Sequence, residues 1–263
     1  NKIMDVHGIQ NRINISIAEV PDHVKNAFIA VEDIRFYSHR GIDIRRMIGA
    51  LAKNISSRSF AQGASTITQQ VVRNSHLTMK KTISRKIQEI YIALILDKRY
   101  SKDQILETYL NIIYFGKGAY GVETASNIYF NKSVRDLTIA EACLLAGIPK
   151  NPSKYSPFAN VDAALKRKNL IIDLMVKHGY ISKKDGVAAK EELITFADEE
   201  KVERSDVKFG YFIDRVLEEA KGLLGIKDED LYTGGYRIYT SIDSSRQEFS
   251  EQVMANDKFF PQS

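Results

Sequence analysis

A mainly α fold is what this sequence predicts, and three observations carry the prediction. Apolar residues recur at helical spacing through most of the chain, Ser, Thr and Pro stand where those stretches begin with Gly or Pro where they stop, and strand-like text is confined to the two ends.

Taken in order, residues 1 to 20 read as extended, with Ile13, Ile15 and Ile17 alternating. Pro21 suits the first turn of a helix through Val24, Ala27, Phe28 and Val31, because its missing N–H costs nothing there. A second helical stretch starts near Asp43 and carries Ile44, Met47, Ile48 and Leu51. Residues 54–63 read as a loop, after which Ser65 or Thr66 is placed to cap a helix through Val72. Lys80 to Lys98 has the clearest helical period, with Ile83, Ile87, Ile90, Tyr91, Leu94 and Ile95 on one stripe and Arg85, Lys86 and Glu89 largely off it. Ser101 resembles the cap of a helix through Tyr109 and Leu110, and Gly116, Gly118 and Gly121 break the helical period beyond it. Thr138 to Leu145 is a short Ala-rich helix stopped by Gly147 and Pro149, and a longer amphipathic helix from Val161 to His178 ends at Gly179. Beyond Glu191 the chain is strongly charged. A last helical stretch, Phe209 to Leu224, precedes Tyr236 to Ile242, which has strand composition. The expected organisation is one domain over 1–190, followed by a β-containing linker segment over 191–263. There is no internal repeat.

Composition narrows the class. Of 263 residues, 44% are hydrophobic and 27% charged, with 5 Pro and 15 Gly, which excludes disordered and collagenous chains. A net charge of +5 favours anionic partners: phosphate esters, acidic headgroups or nucleic acid. Cys143 is the single cysteine, so no internal disulfide or Cys-based metal cluster forms, and its apolar neighbours predict a buried thiol. No apolar run reaches the ~20 residues that span a bilayer. The first and last residues read as the edges of an excised piece.

Three polar clusters carry candidate chemistry. Glu32 and Asp33 close an apolar helix and are followed by Phe36, His39 and Gly41; alone, they read as a solvated helix terminus or as a reactive one. Ser65, Thr66, Gln69 and Gln70 bring hydroxyls and amides to a helix start, where free N–H groups favour anions. Arg85, Lys86 and Glu89 are spaced to meet on one helical face, either as a surface ion pair or as a carboxylate among cations that receive a departing phosphate. Glu32 and Glu89 could then face one substrate, as glycosyl transfer requires.

The order and spacing of these clusters resemble the bacterial peptidoglycan glycosyltransferase domain, glycosyltransferase family 51, of class A penicillin-binding proteins. The pattern E-D-x-x-F-x-x-H-x-G is met by Glu32, Asp33, Phe36, His39 and Gly41, and G-x-S-T-x-x-Q-Q by Gly63, Ser65, Thr66, Gln69 and Gln70. R-K-x-x-E is met by Arg85, Lys86 and Glu89, and I-L-E-x-Y-L-N by residues from Ile105 to Asn111. L-A-G-x-P-x-x-P-x-x-Y-x-P is met from Leu145 to Pro157.

The resemblance implies a lysozyme-like fold with a large globular lobe and a small membrane-facing jaw lobe, the stretch Ile55 to Ala61 lying where the jaw meets the bilayer. It implies polymerisation of lipid II into β-1,4-linked glycan with inversion and release of undecaprenyl diphosphate. Carried over residue by residue, Glu32 is the general base and Glu89 sits near the departing diphosphate with Arg85 and Lys86. Ser65, Thr66, Gln69 and Gln70 match donor-site positions, with Arg73 and Asn74 just after them where relatives commonly have Lys. Asp33, Phe36, His39, Tyr109 and Asn111 are supporting residues, His39 ordering the first motif, while Tyr109 and Asn111 line the cleft or support its floor. No organic cofactor is implied; a divalent cation, Mg2+ or Mn2+, is allowed, with its site unknown. The implied partners are lipid II, the growing strand, the extracytoplasmic membrane surface, other cell-wall synthesis proteins and phosphoglycolipid inhibitors of the moenomycin type. Gly234 to Asp243 resembles the connection leading into the transpeptidase module of class A penicillin-binding proteins, which implies that 191–263 is a linker and the start of that module, the rest of it missing. Ser205-Asp206-Val207-Lys208 has no K-T-G partner, so no penicillin binding is expected of this chain. The rival readings are a lytic enzyme on a related fold, a non-catalytic lipid II scaffold and, through the basic clusters Lys80-Lys81 and Lys166-Arg167-Lys168, a nucleic-acid binder.

Overall fold

The computed structural model describes residues 11–49, 65–76, 82–198, 210–225 and 238–254. The chain divides into two compact units: one is Asn11–Ala197, and the described residues from Asp198 onward belong to the other.

In the first unit, strand β1 (Asn11–Arg12) is followed by helix α1 (Asp22–Glu32), α2 (44–49), α3 (Ile67–His76), α4 (Ile83–Arg99) and α5 (Lys102–Ile112). A hairpin of β2 (Tyr114–Gly116) and β3 (Ala119–Tyr120) leads to α6 (Val122–Phe130), α7 (Ile139–Gly147), α8 (Pro152–Tyr155), α9 (Val161–Lys177) and α10 (Lys183–Glu191). The sheet runs β1-β3-β2, with β1 parallel and β2 antiparallel to β3. These short strands sit in the glycine-rich stretch after α5, where helical periodicity stops.

The core is the packing of α1, α7 and α9 on one another. Helix α7 is buried from Ala140 to Gly147, and α9 contributes Ala164, Ile171, Ile172 and Met175. Phe28 of α1 is fully buried, with Tyr109 edge-on at 6.3 Å and Phe115 at 6.0 Å. Burial of such a side chain contributes about 1.5–3 kcal/mol.

Helix boundaries obey local chemistry. Ser101 and Gln104 form a reciprocal capping box, as do Thr138 and Glu141. Pro21 precedes α1 as its cap residue instead of lying inside the first turn. At the end of α9, Gly179 at φ +76° lets its N–H reach the Val176 carbonyl at 3.1 Å while the Tyr180 N–H reaches Met175 at 2.9 Å. This is a left-handed glycine stop that satisfies two late carbonyls.

Helix α4 departs from what amphipathicity ordinarily dictates. Its apolar residues Ile87, Tyr91 and Leu94 are exposed, whereas Glu89 and Ala93 are fully buried. The side turned inward is the one that meets α3.

Two further expectations are corrected by the fold. The basic cluster Lys166-Arg167-Lys168 is not a surface patch, because Lys168 is 2% exposed and its ammonium donates to the Ala189 and Lys190 carbonyls at the end of α10. Burial pulls that ammonium below its ordinary range, against the opposing field of Glu192. In the second unit, α11 (Gly210–Leu224) matches the helical stretch, but Ile238 to Ile242 makes no strand, and α12 (Ser244–Met254) comes directly after it. Asp243 accepts from the N–H groups of Ser245 and Arg246 at 3.1 and 3.2 Å, and this start of a helix overrides the strand composition before it. The expected loop at 54–63, including Ile55 to Ala61, and the cluster Lys80-Lys81 lie outside the described residues, as does Ser205 to Lys208. Among the described residues no helix is long and apolar enough to cross a membrane.

Candidate active site

Glu32 is the last residue of α1 and Asp33 caps it. Asp33 is fully buried, and its Oδ2 accepts from the Ile67 N–H at 3.0 Å and from His39 Nε2 at 2.8 Å. One of the orphan donors at the start of α3 is thereby satisfied by a carboxylate from the end of α1, which fixes the two helix ends together. His39 lies within hydrogen-bond reach of its own motif, as an ordering residue must. Phe36 is fully buried beneath them, with the Lys102 ammonium 4.8 Å above its ring.

Glu32 itself is half-buried. Its Oε2 accepts from Gln70 Nε2 at 2.8 Å, and its backbone carbonyl accepts from the Arg46 guanidinium. Among the described residues no donor reaches Oε1.

Helix α3 begins with a reciprocal cap. Thr66 Oγ1 accepts from the Gln69 N–H at 3.2 Å, and Gln69 Oε1 accepts from the Thr66 N–H at 3.0 Å. The Thr66 hydroxyl also donates to the Gly41 carbonyl at 2.7 Å. Gly41 has φ +78°, and a Cβ there would lie 2.4 Å from the Ala93 carbonyl oxygen, so only glycine permits this approach of loop to α4. Thr66 and Gln69 are 0% and 1% exposed. The expected contact of these two side chains with sugar or diphosphate is therefore corrected: they build the start of α3 from beneath.

Ser65 and Gln70 behave differently. The Ser65 hydroxyl accepts from Lys86 Nζ at 3.0 Å, and Gln70 Oε1 lies 3.5 Å from Arg73 NH2, so α3 touches the cationic cluster at one end and Glu32 a turn later. Asn74 is exposed beyond them.

Arg85, Lys86 and Glu89 do meet on one face of α4. Arg85 NH1 donates to Glu89 Oε2 at 3.0 Å and the Lys86 ammonium to Oε1. Glu89 is fully buried, whereas the side chains of Arg85 and Lys86 are 17% and 37% exposed, so the carboxylate aims two cations outward. Two positive charges beside one negative leave the cluster net positive. Both oxygens of Glu89 are engaged by cations that would repel a divalent ion, so these residues do not fit a metal. Among the described residues no group of three or more His, Cys, Asp or Glu could hold one either.

Tyr109 is 0% exposed and so presents no surface to a ligand. Burial, then the negative field of Glu32, pushes its phenol well above the ordinary range, with Arg73 opposing. Asn111 is also structural, since both ends of its amide bind the Ile15 backbone. The Gln70 contact to Glu32 and the Arg46 contact to the Glu32 carbonyl escaped sequence reasoning. Gln70 stood in a motif, but Arg46 had no signal at all. A hollow of about 250 Å³ between the β2–β3 turn and α8, lined by Tyr114, Gly116, Pro152 and Ser153, involves none of these groups.

Known proteins are similar to this chain over most of its length. The family model described as Transglycosylase matches residues 1–176. Penicillin-binding protein 1F of Bacillus subtilis (strain 168) is 42% identical over 268 residues, covering 99% of this chain and 37% of that protein. Penicillin-binding protein 1A of Aquifex aeolicus (strain VF5) is 41% identical over 247 residues, covering 94% and 33%. The crystal structure of penicillin-binding protein 1A from Haemophilus influenzae superposes with a TM-score of 0.52 at 26% identity, covering 94% of this chain and 26% of that one. The chain thus spans well under half the length of each of these relatives.

Proposed function

The chain belongs to the transglycosylase family, and from that premise we propose that it is a peptidoglycan glycosyltransferase of bacterial cell-wall synthesis, polymerising lipid II at the extracytoplasmic membrane surface. Glu32 is the general base. Its Oε1 takes the proton of the 4-hydroxyl of the incoming lipid II as that oxygen attacks the anomeric carbon of the growing strand. The bond from that carbon to the diphosphate breaks on the opposite face, giving inversion and a β-1,4 link, and the electron pair leaves with undecaprenyl diphosphate.

Arg85 and Lys86 meet the departing charge, held outward by Glu89, with Ser65 just before α3 bonded to Lys86 and Arg73 further along that helix as an additional cation. Fixed cations at a developing anion need no reorganisation during the reaction. Glu89 therefore acts on the leaving group through its neighbours. In this reading 1–190 carries the transfer and 191–263 is the linker and start of a transpeptidase module. Phosphoglycolipids of the moenomycin type would compete for the same cations, and other cell-wall synthesis proteins are further partners.

The observation that carries the reading is the carboxylate of Glu32, pinned at one oxygen by Gln70 and, among the described residues, met by no donor at the other, on the same short stretch that also engages the Arg85–Lys86–Glu89 cluster. Cleavage of a neutral glycosidic bond has no use for such a cluster. The test is gel-resolved polymerisation of labelled lipid II in detergent by the parent and by Glu32→Gln. Ladders are expected from the parent, with a loss of about 10²–10⁴-fold in the variant. Full activity in Glu32→Gln refutes the assignment, and muropeptides released from sacculi would replace transfer by lysis.

A further inference from the structure

Between Glu32 and Arg46 the chain leaves α1, passes through a loop and enters α2, and the excursion closes on itself. Arg35, just after Glu32, sets its guanidinium fork on Asp43, with Nε 2.8 Å from Oδ2 and NH2 2.7 Å from Oδ1. Asp43 stands immediately before α2 and caps it, its Oδ1 accepting from the Arg46 N–H at 2.9 Å. The Arg46 guanidinium then returns to the Glu32 carbonyl. That carbonyl belongs to the last turn of α1, where the final C=O groups have no intrahelical partner and the helix dipole favours a cation. Asp43 is 3% exposed, so the clasp is anchored on a buried carboxylate.

We propose that Arg46 is a positioning residue for the base, holding Glu32 by its backbone, and that the Arg35–Asp43 pair in turn holds Arg46. The inference rests on Glu32 being the base. A side chain is aimed only as well as the Cα from which it leaves, and Glu32 stands at a helix end, where helices ordinarily fray. Asp33 beyond it has already left helical geometry, with φ −157° and ψ 72°. A donor on the Glu32 carbonyl fixes the peptide plane between these two residues, and with it the direction in which the carboxylate departs from α1. The base is therefore seated by a cation that arrives from the next helix. Asp43 fixes the first turn of α2, on which Arg46 rides, and Arg35 fixes Asp43.

The test is steady-state polymerisation of labelled lipid II by the parent, Arg46→Met, Arg46→Lys, Asp43→Asn and the double substitution Asp43→Asn with Arg46→Met. Methionine keeps an unbranched apolar stem and loses the donor. For Arg46→Met, kcat is expected to fall about 10- to 100-fold, the scale of a displaced catalytic group, with KM within about threefold of the parent. An ammonium also donates to a single carbonyl, so Arg46→Lys should lose clearly less. Asp43→Asn should lower kcat by itself but add little to Arg46→Met, because the two residues act on Glu32 through one bond. A rise in KM with kcat retained in Arg46→Met would make Arg46 a substrate contact and overturn the proposal. So would unchanged kinetics, equal losses in Arg46→Lys and Arg46→Met, or additive losses in the double substitution.

A second measurement is independent of turnover. The Asp33 amide shares its peptide plane with the Glu32 carbonyl. Its backbone ¹H–¹⁵N signal should move in Arg46→Met and stay in place in Arg45→Met, which removes an exposed guanidinium from the adjacent position of α2. If the parent makes no polymer, the functional reading fails by itself, and this signal still decides the contact: an immobile signal in Arg46→Met, or an equal shift in Arg45→Met, overturns it.

Discussion

Asn111 grips Ile15 with both ends of its amide, Oδ1 accepting from the Ile15 N–H at 2.9 Å and Nδ2 donating to the Ile15 carbonyl at 2.8 Å. A side chain of α5 thus stands in for a neighbouring strand, and Glu107 on the same helix accepts from the Ile17 N–H at 2.7 Å.

Replacing Asn111 by Ala removes both bonds and leaves the backbone groups of a buried residue unpaired. The expected cost is about 1–3 kcal/mol, read from the urea midpoint of unfolding. A loss confined to activity, with the midpoint unchanged, would return Asn111 to the cleft.

Glu89→Ala leaves Arg85 and Lys86 facing each other without their anchor. Breaking such a buried ion cluster costs about 3–5 kcal/mol when every partner is buried, and the greater exposure of Lys86 brings the expectation to about 2–3 kcal/mol. Glu89→Gln preserves volume and should fold, but the cations lose their aim. Polymerisation is expected to fall at least about tenfold. Wild-type turnover in Glu89→Gln would remove the leaving-group role.

Asp43 gives an acid-side signature. Burial raises its carboxyl, but the Arg35 fork at 2.7 and 2.8 Å and the Arg46 N–H outweigh burial and hold it below the ordinary carboxylate range. A lowered folded value stabilises the fold above the unfolded-state value of about 4, and that contribution disappears as pH falls through the folded value. Urea midpoints tracked from neutral pH down to well below about 4 should therefore drop more steeply in the parent than in Asp43→Asn, the difference opening only below about pH 5. Equal slopes would show that the pair contributes nothing.

Cys143 is fully buried against Met175, and burial pushes its thiol up to about 12. Thiolate is the reactive form, so a disulfide reagent at mildly alkaline pH should leave the native protein unmodified and label it fully in denaturant. Rapid labelling of the native state would contradict the packing of α7 on α9.

Most helices are legible in the sequence because their signals are local. Caps such as Ser101 and Thr138 and the stop at Gly179 act within a few residues and stand where expected. The β2–β3 hairpin is not legible, since strands of two or three residues carry no readable alternation. Periodicity in α4 locates two faces correctly but does not say which one turns inward. The buried side holds Glu89, satisfied by its own helix, and Ala93, small enough for Gly41 to approach. Neighbours, not hydropathy, decide the orientation. In the candidate site, residue types are visible in the sequence but their depth is not. Thr66, Gln69 and Gln70 read as one polar group, and only the fold separates two that cap a helix from one that faces Glu32.

Helix α3 is also a ruler. Ser65, just before its first turn, meets Lys86, and Gln70, within it, meets Glu32. The helical part of that stretch, Ile67 to Gln70, rises about 4.5 Å along the axis and holds the two contacts at a set separation. An inserted residue in this turn would lengthen the interval little but swing one contact about 100° round the axis. The protein can therefore vary what lies around this turn far more readily than the number of residues within it.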